Sequence, residues 1–178
     1  MFKVVFMETM FLIWFGICFV CYMVRTLFNI LHYKKSSLAE NKKVVTSIFI
    51  VMGILWFSWA QMSFSDPIRM NIPNWIRYIG LLLFLIGVFL FIFSHMKLKG
   101  FEDKGKLIMT GIYSKIRNPM YLGFIIWIIG FPIFTQSLLT LASSAIWVSH
   151  IIYWKILEEK KLEKKYEEYR EYKKKTWF

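Results

Sequence analysis

The residues best suited to chemistry lie in two short blocks on either side of one long apolar stretch. The first block, KIRNPMYLG (Lys115–Gly123), sets an arginine, an asparagine and a proline at the lip of an uncharged run that reaches Trp154. The second opens with Glu158 and Glu159, adjacent carboxylates among lysines where that run gives out. Asn118 suits a helix N-cap and Pro119 the first helical turn. A helix starting there turns free amides and the positive end of its dipole outward, with Arg117 beside them, which makes an anion site. A helix ending near Glu158 presents the opposite pole. If the chain doubles back in between, the two poles become neighbours. Such a pair suits a zwitterion, such as the amino-acid head of a nucleotide-like cofactor, and its negative side tolerates a sulfonium. The competing arrangement is a plain salt bridge between Arg117 and Glu158 or Glu159.

The intervening run is what must position these groups. As one straight helix, the 37 residues Asn118–Trp154 would span roughly 55 Å, against ~30 Å of bilayer hydrocarbon. Pro132, followed by Thr135-Gln136-Ser137, reads as a turn that divides the run into two spans. Three more uncharged runs precede it: Thr9–Val24 (to Leu31 if Arg25 snorkels), Val44–Phe64 and Tyr78–Ser94. Apolar residues make up 57% of the 178, and aromatics 20%, so the composition is not that of a soluble domain. The expected fold is all-α: a single-domain polytopic membrane bundle of about five transmembrane helices with a C-terminal cytoplasmic helix. Three spans fall in 1–94 and the chemistry-bearing half in 95–178. The first span, with Glu8 ahead of it and no small-residue cleavage site, does not resemble a cleaved signal peptide.

A net charge of +12 raises the question of nucleic acid, and the distribution of the charges answers it. Nineteen of the 23 Lys and Arg fall in loop 32–43, loop 95–118 and the tail from Lys155. In an alternating five-span topology these segments share one face. The positive-inside rule then puts the N-terminus outside and the C-terminus in the cytoplasm of an integral, expectedly cell-membrane, protein. The excess charge orients the chain and attracts anionic headgroups; no nucleic-acid partner is expected.

Other features read mainly as packing. Gly80/Gly87 and Gly123/Gly130 lie seven apart on one helical face, as do small residues at Ala142, Ala145 and Ser149, and small residues let membrane helices approach closely. Trp56, Trp59, Trp75, Trp127, Trp147, Trp154 and Trp177 read as interfacial belts. Cys18 and Cys21 form a CxxC with no second pair, so they read as helix- or lipid-facing thiols. His32 and His150 read as interfacial or packed histidines and Gln61 as a helix–helix contact; no metal site is expected. The tail Ile156–Trp177 has no Gly or Pro and is expected to continue the fifth span, with a stripe at Leu162, Tyr166 and Tyr169.

LIMTGIYSKIRNPMYLG (107–123) followed by EEKKLEKKYEEYREY (158–172) resembles the isoprenylcysteine carboxyl methyltransferase and phospholipid N-methyltransferase superfamily of integral-membrane enzymes. Gly111, Tyr113, Arg117, Pro119, Tyr121 and Gly123 stand at its first motif, and Glu158, Glu159, Leu162, Tyr166, Tyr169 and Tyr172 at its second. His95 falls where its carboxyl methyltransferases carry a histidine. Asn118 replaces the family's histidine, Tyr166 its phenylalanine and Glu167 its glycine. An amide at 118 keeps a donor and loses proton transfer, whereas Glu167 reads as an added helical residue on the surface.

The resemblance implies S-adenosyl-L-methionine as cofactor. Its site would be built from Gly111, Tyr113, Arg117, Asn118, Pro119, Tyr121, Glu158 and Glu159, with Arg117, Glu159 and His95 as catalytic candidates. Methyl transfer is an in-line displacement, so bringing donor and acceptor together in a dry site is the main task. A carboxylate acceptor needs a cation such as Arg117, whereas an amine must first lose a proton, with help from Glu159 or His95. The expected partners are the bilayer and a lipidic or small hydrophobic acceptor. The rival readings are a membrane NADPH-dependent steroid-type reductase, disfavoured by Phe124 after Gly123, and a non-catalytic scaffold of the same fold. Neither the acceptor's identity nor the oligomeric state is legible in the sequence.

Overall fold

The computed structural model describes residues 2–34, 41–99 and 107–178. The middles of the two basic loops, with Lys35, Lys104 and Lys106, lie outside the described residues. Six helices follow in order: α1 (Phe2–Lys34), α2 (Lys42–Ser65), α3 (Asn74–Lys99), α4 (Pro119–Phe134), α5 (Leu138–Lys165) and α6 (Tyr169–Lys175). Among the described residues α1, α2 and α3 are long and apolar enough to cross a membrane, while α4 is a shorter apolar helix of 16 residues. At about 1.5 Å per residue α4 is roughly 24 Å long. The apolar part of α5 ends near Trp154.

The helices alternate in direction. Tyr22 stacks on Trp147 and Trp154, His32 bonds Lys161 and Lys164 lies over Tyr33, so α1 and α5 run parallel. Arg77 at the start of α3 reaches the Phe134 carbonyl at the end of α4. The start of α4 and the far end of α5 therefore share one end of the bundle, the end that carries the basic loops.

The glycines act as their spacing implies. A Cβ on Gly87 would lie 2.6 Å from the Gly123 carbonyl, and one on Gly130 2.8 Å from that of Gly80. Two reciprocal crossings thus hold α3 and α4 backbone to backbone. The Ala142, Ala145, Ser149 stripe does not behave this way: all three are exposed, and α5 instead buries Thr140, Ser143 and Ser144. The Ser143 and Ser144 hydroxyls return their protons to backbone carbonyls and that of Thr140 to the Asp66 carboxylate, which lets a polar face pack.

Pro132 is no turn residue. It sits inside α4, where the carbonyl its missing N–H would have bonded, that of Ile128, accepts the Ser144 hydroxyl from α5 at 3.2 Å. The chain turns three residues later, with Gln136 at φ +58. Ser137 N–H bonds the Pro132 carbonyl and Gln136 N–H that of Ile133, which is a Schellman close with glutamine where glycine is usual. The α5 N-terminus is then capped from afar. Asp66, fully buried after α2, accepts from the Thr140 N–H at 2.8 Å and its hydroxyl at 3.0 Å. Arg69 gathers the opposite poles, donating to the carbonyls of Ser63, Phe64 and Thr135.

The tryptophans are mostly core rather than belt. Trp59, Trp147 and Trp154 are buried, with Trp56 and Trp127 packed around them, while Trp75 and Trp177 are exposed. Cys18 and Cys21 are buried free thiols in the same core. Gln61 makes no side-chain hydrogen bond among the described residues. Arg25 does not snorkel outward but folds over Trp154 of α5, 5.9 Å from its ring. The tail departs from one continuous helix: α5 stops at Lys165, Tyr166 is extended (φ −127, ψ 116), and α6 begins after a turn. No Gly or Pro forces this break. Burial of Tyr169 and Tyr172 against residues 113–117 outweighs local helix propensity. Glu167 consequently lies in the turn and not on a helix.

Candidate active site

Arg117 and Glu159 meet directly, Nε to Oε1 at 3.0 Å, with side chains 10% and 8% exposed. The salt bridge foreseen as the competing arrangement is therefore present. Nη1 is engaged as well, bonding the carbonyls of Lys173 and Thr176 at 3.1 and 2.7 Å, at the C-terminus of α6. The backbone adds a short parallel bridge, with Arg117 N–H to the Trp177 carbonyl and Trp177 N–H to that of Lys115. Asn118 occupies the N-cap position without capping. Its Nδ2 donates instead to Glu159 at 2.6 Å and to the Phe178 carbonyl at 3.1 Å. Pro119 follows, buried at the first helical position.

Glu159 is the hub of this cluster. Besides Arg117 and Asn118 it faces Lys155 at 3.7 Å and Lys173 at 3.3 Å. Burial acts to raise its pKa, but Arg117, Lys155 and Lys173 outweigh that and hold the carboxyl below its ordinary range. Glu158 has a different environment. Among the described residues it accepts one hydrogen bond, from the Tyr121 hydroxyl at 2.5 Å, and pairs with no cation within salt-bridge distance. Burial pushes its carboxyl up, and Tyr121, Arg25 and Lys161 offset only part of that. Two neighbouring carboxylates are thus driven apart, one kept charged and the other biased towards its proton.

The 3-10 turn Gly111–Ser114 closes the site from the loop side. Gly111 takes φ +65, a backbone that favours glycine. Tyr113 is buried and donates to the Ser94 carbonyl at 3.4 Å, while its own carbonyl accepts the Tyr172 hydroxyl at 2.6 Å. Burial raises the Tyr172 pKa to about 12 despite nearby Arg117. A cleft of about 320 Å³ opens beside this contact, lined by Met109, Ser114, Glu168, Glu171, Lys175 and Thr176 among others. His95 stands apart: half-buried, it stacks on Phe91 and, among the described residues, bonds no member of the cluster. His150 bonds Thr26, and no group of three or more metal-capable side chains gathers among the described residues.

Three participants escape a reading of the sequence: Lys155 and Lys173 flank Glu159, and Phe178 lies under the Lys155 ammonium, 4.1 Å from its ring centroid. Tyr169, from the second motif, has its hydroxyl buried without a partner among the described residues. The i, i+4 spacing of Lys155 and Glu159 was the only local signal.

An apolar helix bundle with a buried, oppositely charged cluster at the shared end of a hairpin is an integral-membrane protein with its polar site at the bilayer surface. The chain belongs to the phospholipid methyltransferase family, which it matches over residues 75–169, more than half of its length. It is accordingly a membrane methyltransferase. No curated protein and no solved structure matches it.

Proposed function

We propose that the chain transfers a methyl group from S-adenosylmethionine to an amine carried by a lipid, at the cytoplasmic end of α3–α5. The contrast between the two glutamates carries this reading. A carboxylate acceptor needs a free cation, and Arg117 is already committed to Glu159 and to the end of α6. An amine needs a carboxylate able to take a proton, and Glu158 is buried, its pKa raised by that burial, and bonded among the described residues to Tyr121.

The residues present fit a zwitterionic, sulfonium-bearing donor. Arg117, Lys155 and Lys173 stand against Glu159 and, through Lys173, Glu163, three cations to two carboxylates, a balance that leaves room for the donor's own carboxylate. The buried Tyr169 hydroxyl has no partner. When bound, S-adenosylmethionine supplies an electrophilic methyl group on its sulfonium.

On this reading Gly111, Tyr113, Arg117, Asn118, Pro119 and Glu159 form the donor side, while Tyr121 and Glu158 form the acceptor side. Arg117 and Glu159 hold α6 down and exclude water, Tyr121 aims the Glu158 carboxylate, and Glu158 takes the ammonium proton. His95 is assigned no proton, because it bonds none of these groups. Thermal unfolding in detergent tests the reading. Stabilisation by S-adenosylmethionine and not by NADPH is expected, together with transfer of labelled methyl into an amine-containing lipid extract. Stabilisation by NADPH alone, or label arriving in a methyl ester, overturns it.

A further inference from the structure

Arg25 is the charged group that the mechanism leaves unused. It lies on α1, outside residues 75–169, and turns inward between α1 and α5. Its guanidinium rests over the rings of Phe28 and Trp154, at 5.4 and 5.9 Å. Nε is buried without a hydrogen-bond partner, and among the described residues Arg25 makes no hydrogen bond or ion pair. Arg25 is half-buried, so the loss of water falls mainly on Nε, and the aromatic faces beside it return about 0.5–2 kcal/mol. Its planar fork of donors matches a carboxylate or a phosphate.

The surroundings favour the phosphate of a lipid. Further along the same seam, towards the basic end of the bundle, stand His32 with Lys161 at 2.8 Å and Lys164 over Tyr33, so the positive charge extends beyond Arg25. The seam's flanks are exposed and apolar at Val24 and Leu27 of α1 and at Tyr153 and Ile156 of α5, a path for acyl chains. The nearby carboxylate is Glu158, one helical turn beyond Trp154 on α5 and bonded to Tyr121. A cation without an anion and a carboxylate without a paired cation therefore flank one seam, complementary to a headgroup that bears a phosphate and an amine.

We propose that Arg25 binds the phosphate of the lipid acceptor between α1 and α5 and so sets the distance at which its amine meets Glu158. The inference rests on the lipid-amine reading above. It assigns acceptor recognition to the first helix, in the stretch ahead of the residues 75–169 that the family pattern covers.

The test uses the full chain in detergent with three probes: a short-chain phosphatidylethanolamine, the matching diacylglycerol and inorganic phosphate. Arg25→Gln should weaken phosphatidylethanolamine binding about ten- to hundredfold, the worth of a charge-assisted hydrogen bond. Arg25→Lys, which keeps the charge and loses the fork, should weaken it by a smaller factor and serves if the glutamine variant fails to fold. S-adenosylmethionine affinity should stay within about twofold in both, since no donor-side residue changes. Diacylglycerol affinity should be unaffected by either substitution. Unchanged phosphatidylethanolamine affinity with normal S-adenosylmethionine binding overturns this inference and leaves the methyltransferase reading intact. A wild type that ignores S-adenosylmethionine while the variants lose phospholipid sinks that reading and supports the phosphate site. Saturation by inorganic phosphate at the concentration that suffices for the phospholipid overturns the assignment to a lipid.

Discussion

Replacing Glu159 with glutamine separates the clamp from the ligand. Glutamine keeps the shape and one acceptor oxygen, but removes the charge that balances Arg117, Lys155 and Lys173. Lys173 is 42% exposed, so solvent screens its share. The Arg117 pair is nearly closed to solvent and decides the magnitude. Breaking a buried pair from one side costs about 3–5 kcal/mol. The retained amide acceptor lowers the expected loss to about 2–3 kcal/mol. The loss should be local, because Arg117 also holds the carbonyls of Lys173 and Thr176 and α6 lifts before the long helices part. Limited trypsin digestion in detergent should therefore show cleavage after Lys165 and Arg170 faster by about 30- to 150-fold, that free energy read as an opening equilibrium. The pH dependence supplies a second readout. The folded-state pKa of Glu159 is depressed, so its stabilisation is complete above the unfolded value and is lost as pH falls through the folded one. The difference in thermal stability between wild type and variant should shrink below about pH 4. Cleavage at the wild-type rate, or a stability difference indifferent to pH, refutes the reasoning.

Other substitutions probe separate parts of the molecule. Glu158→Gln should slow methyl transfer about 10²- to 10⁴-fold with little change in donor affinity, and should abolish a rate rise that wild type shows at a pH above the ordinary carboxylate range. Gly87→Val brings a Cβ within 2.6 Å of the Gly123 carbonyl and should destabilise the α3–α4 pair by about 1–3 kcal/mol or more, read as a lowered unfolding temperature. Gln136→Gly relieves a left-handed glutamine and should raise stability by about 0.5–1 kcal/mol. Ser144→Ala strands the Ile128 carbonyl beside Pro132 and should cost about 1–3 kcal/mol, whereas the same change at exposed Ser149 should cost almost nothing.

What could be read from the chain was what local spacing controls. The two glycine pairs, each seven residues apart, marked faces for close helix packing, which the structure sets against one another, and Arg117 and Glu159 came together because a turn inside the long apolar run makes their helix ends neighbours. The remainder depended on partners distant in sequence. Pro132 looked like a breaker, because the hydroxyl that rescues its orphaned carbonyl lies on the next helix. The tryptophans looked interfacial, since hydropathy cannot tell a ring stacked on Tyr22 from one in a headgroup layer. The sequence assigned the proton-taking role to Glu159 and not to Glu158, and only Tyr121 and the cations around Glu159 favour the reverse. The tail looked like one helix, because the tyrosine burial and the Arg117 contacts that end it are tertiary.

Arg69 and Asp66 bear on how the bundle opens. One holds the finishing carbonyls of α2 and α4 together, and the other caps the first turn of α5, all at the end remote from Arg117 and Glu159. Helices tied in this way behave like tongs with a riveted heel. Any spreading that admits a lipid is confined to the jaws, where Arg25 and Glu158 sit.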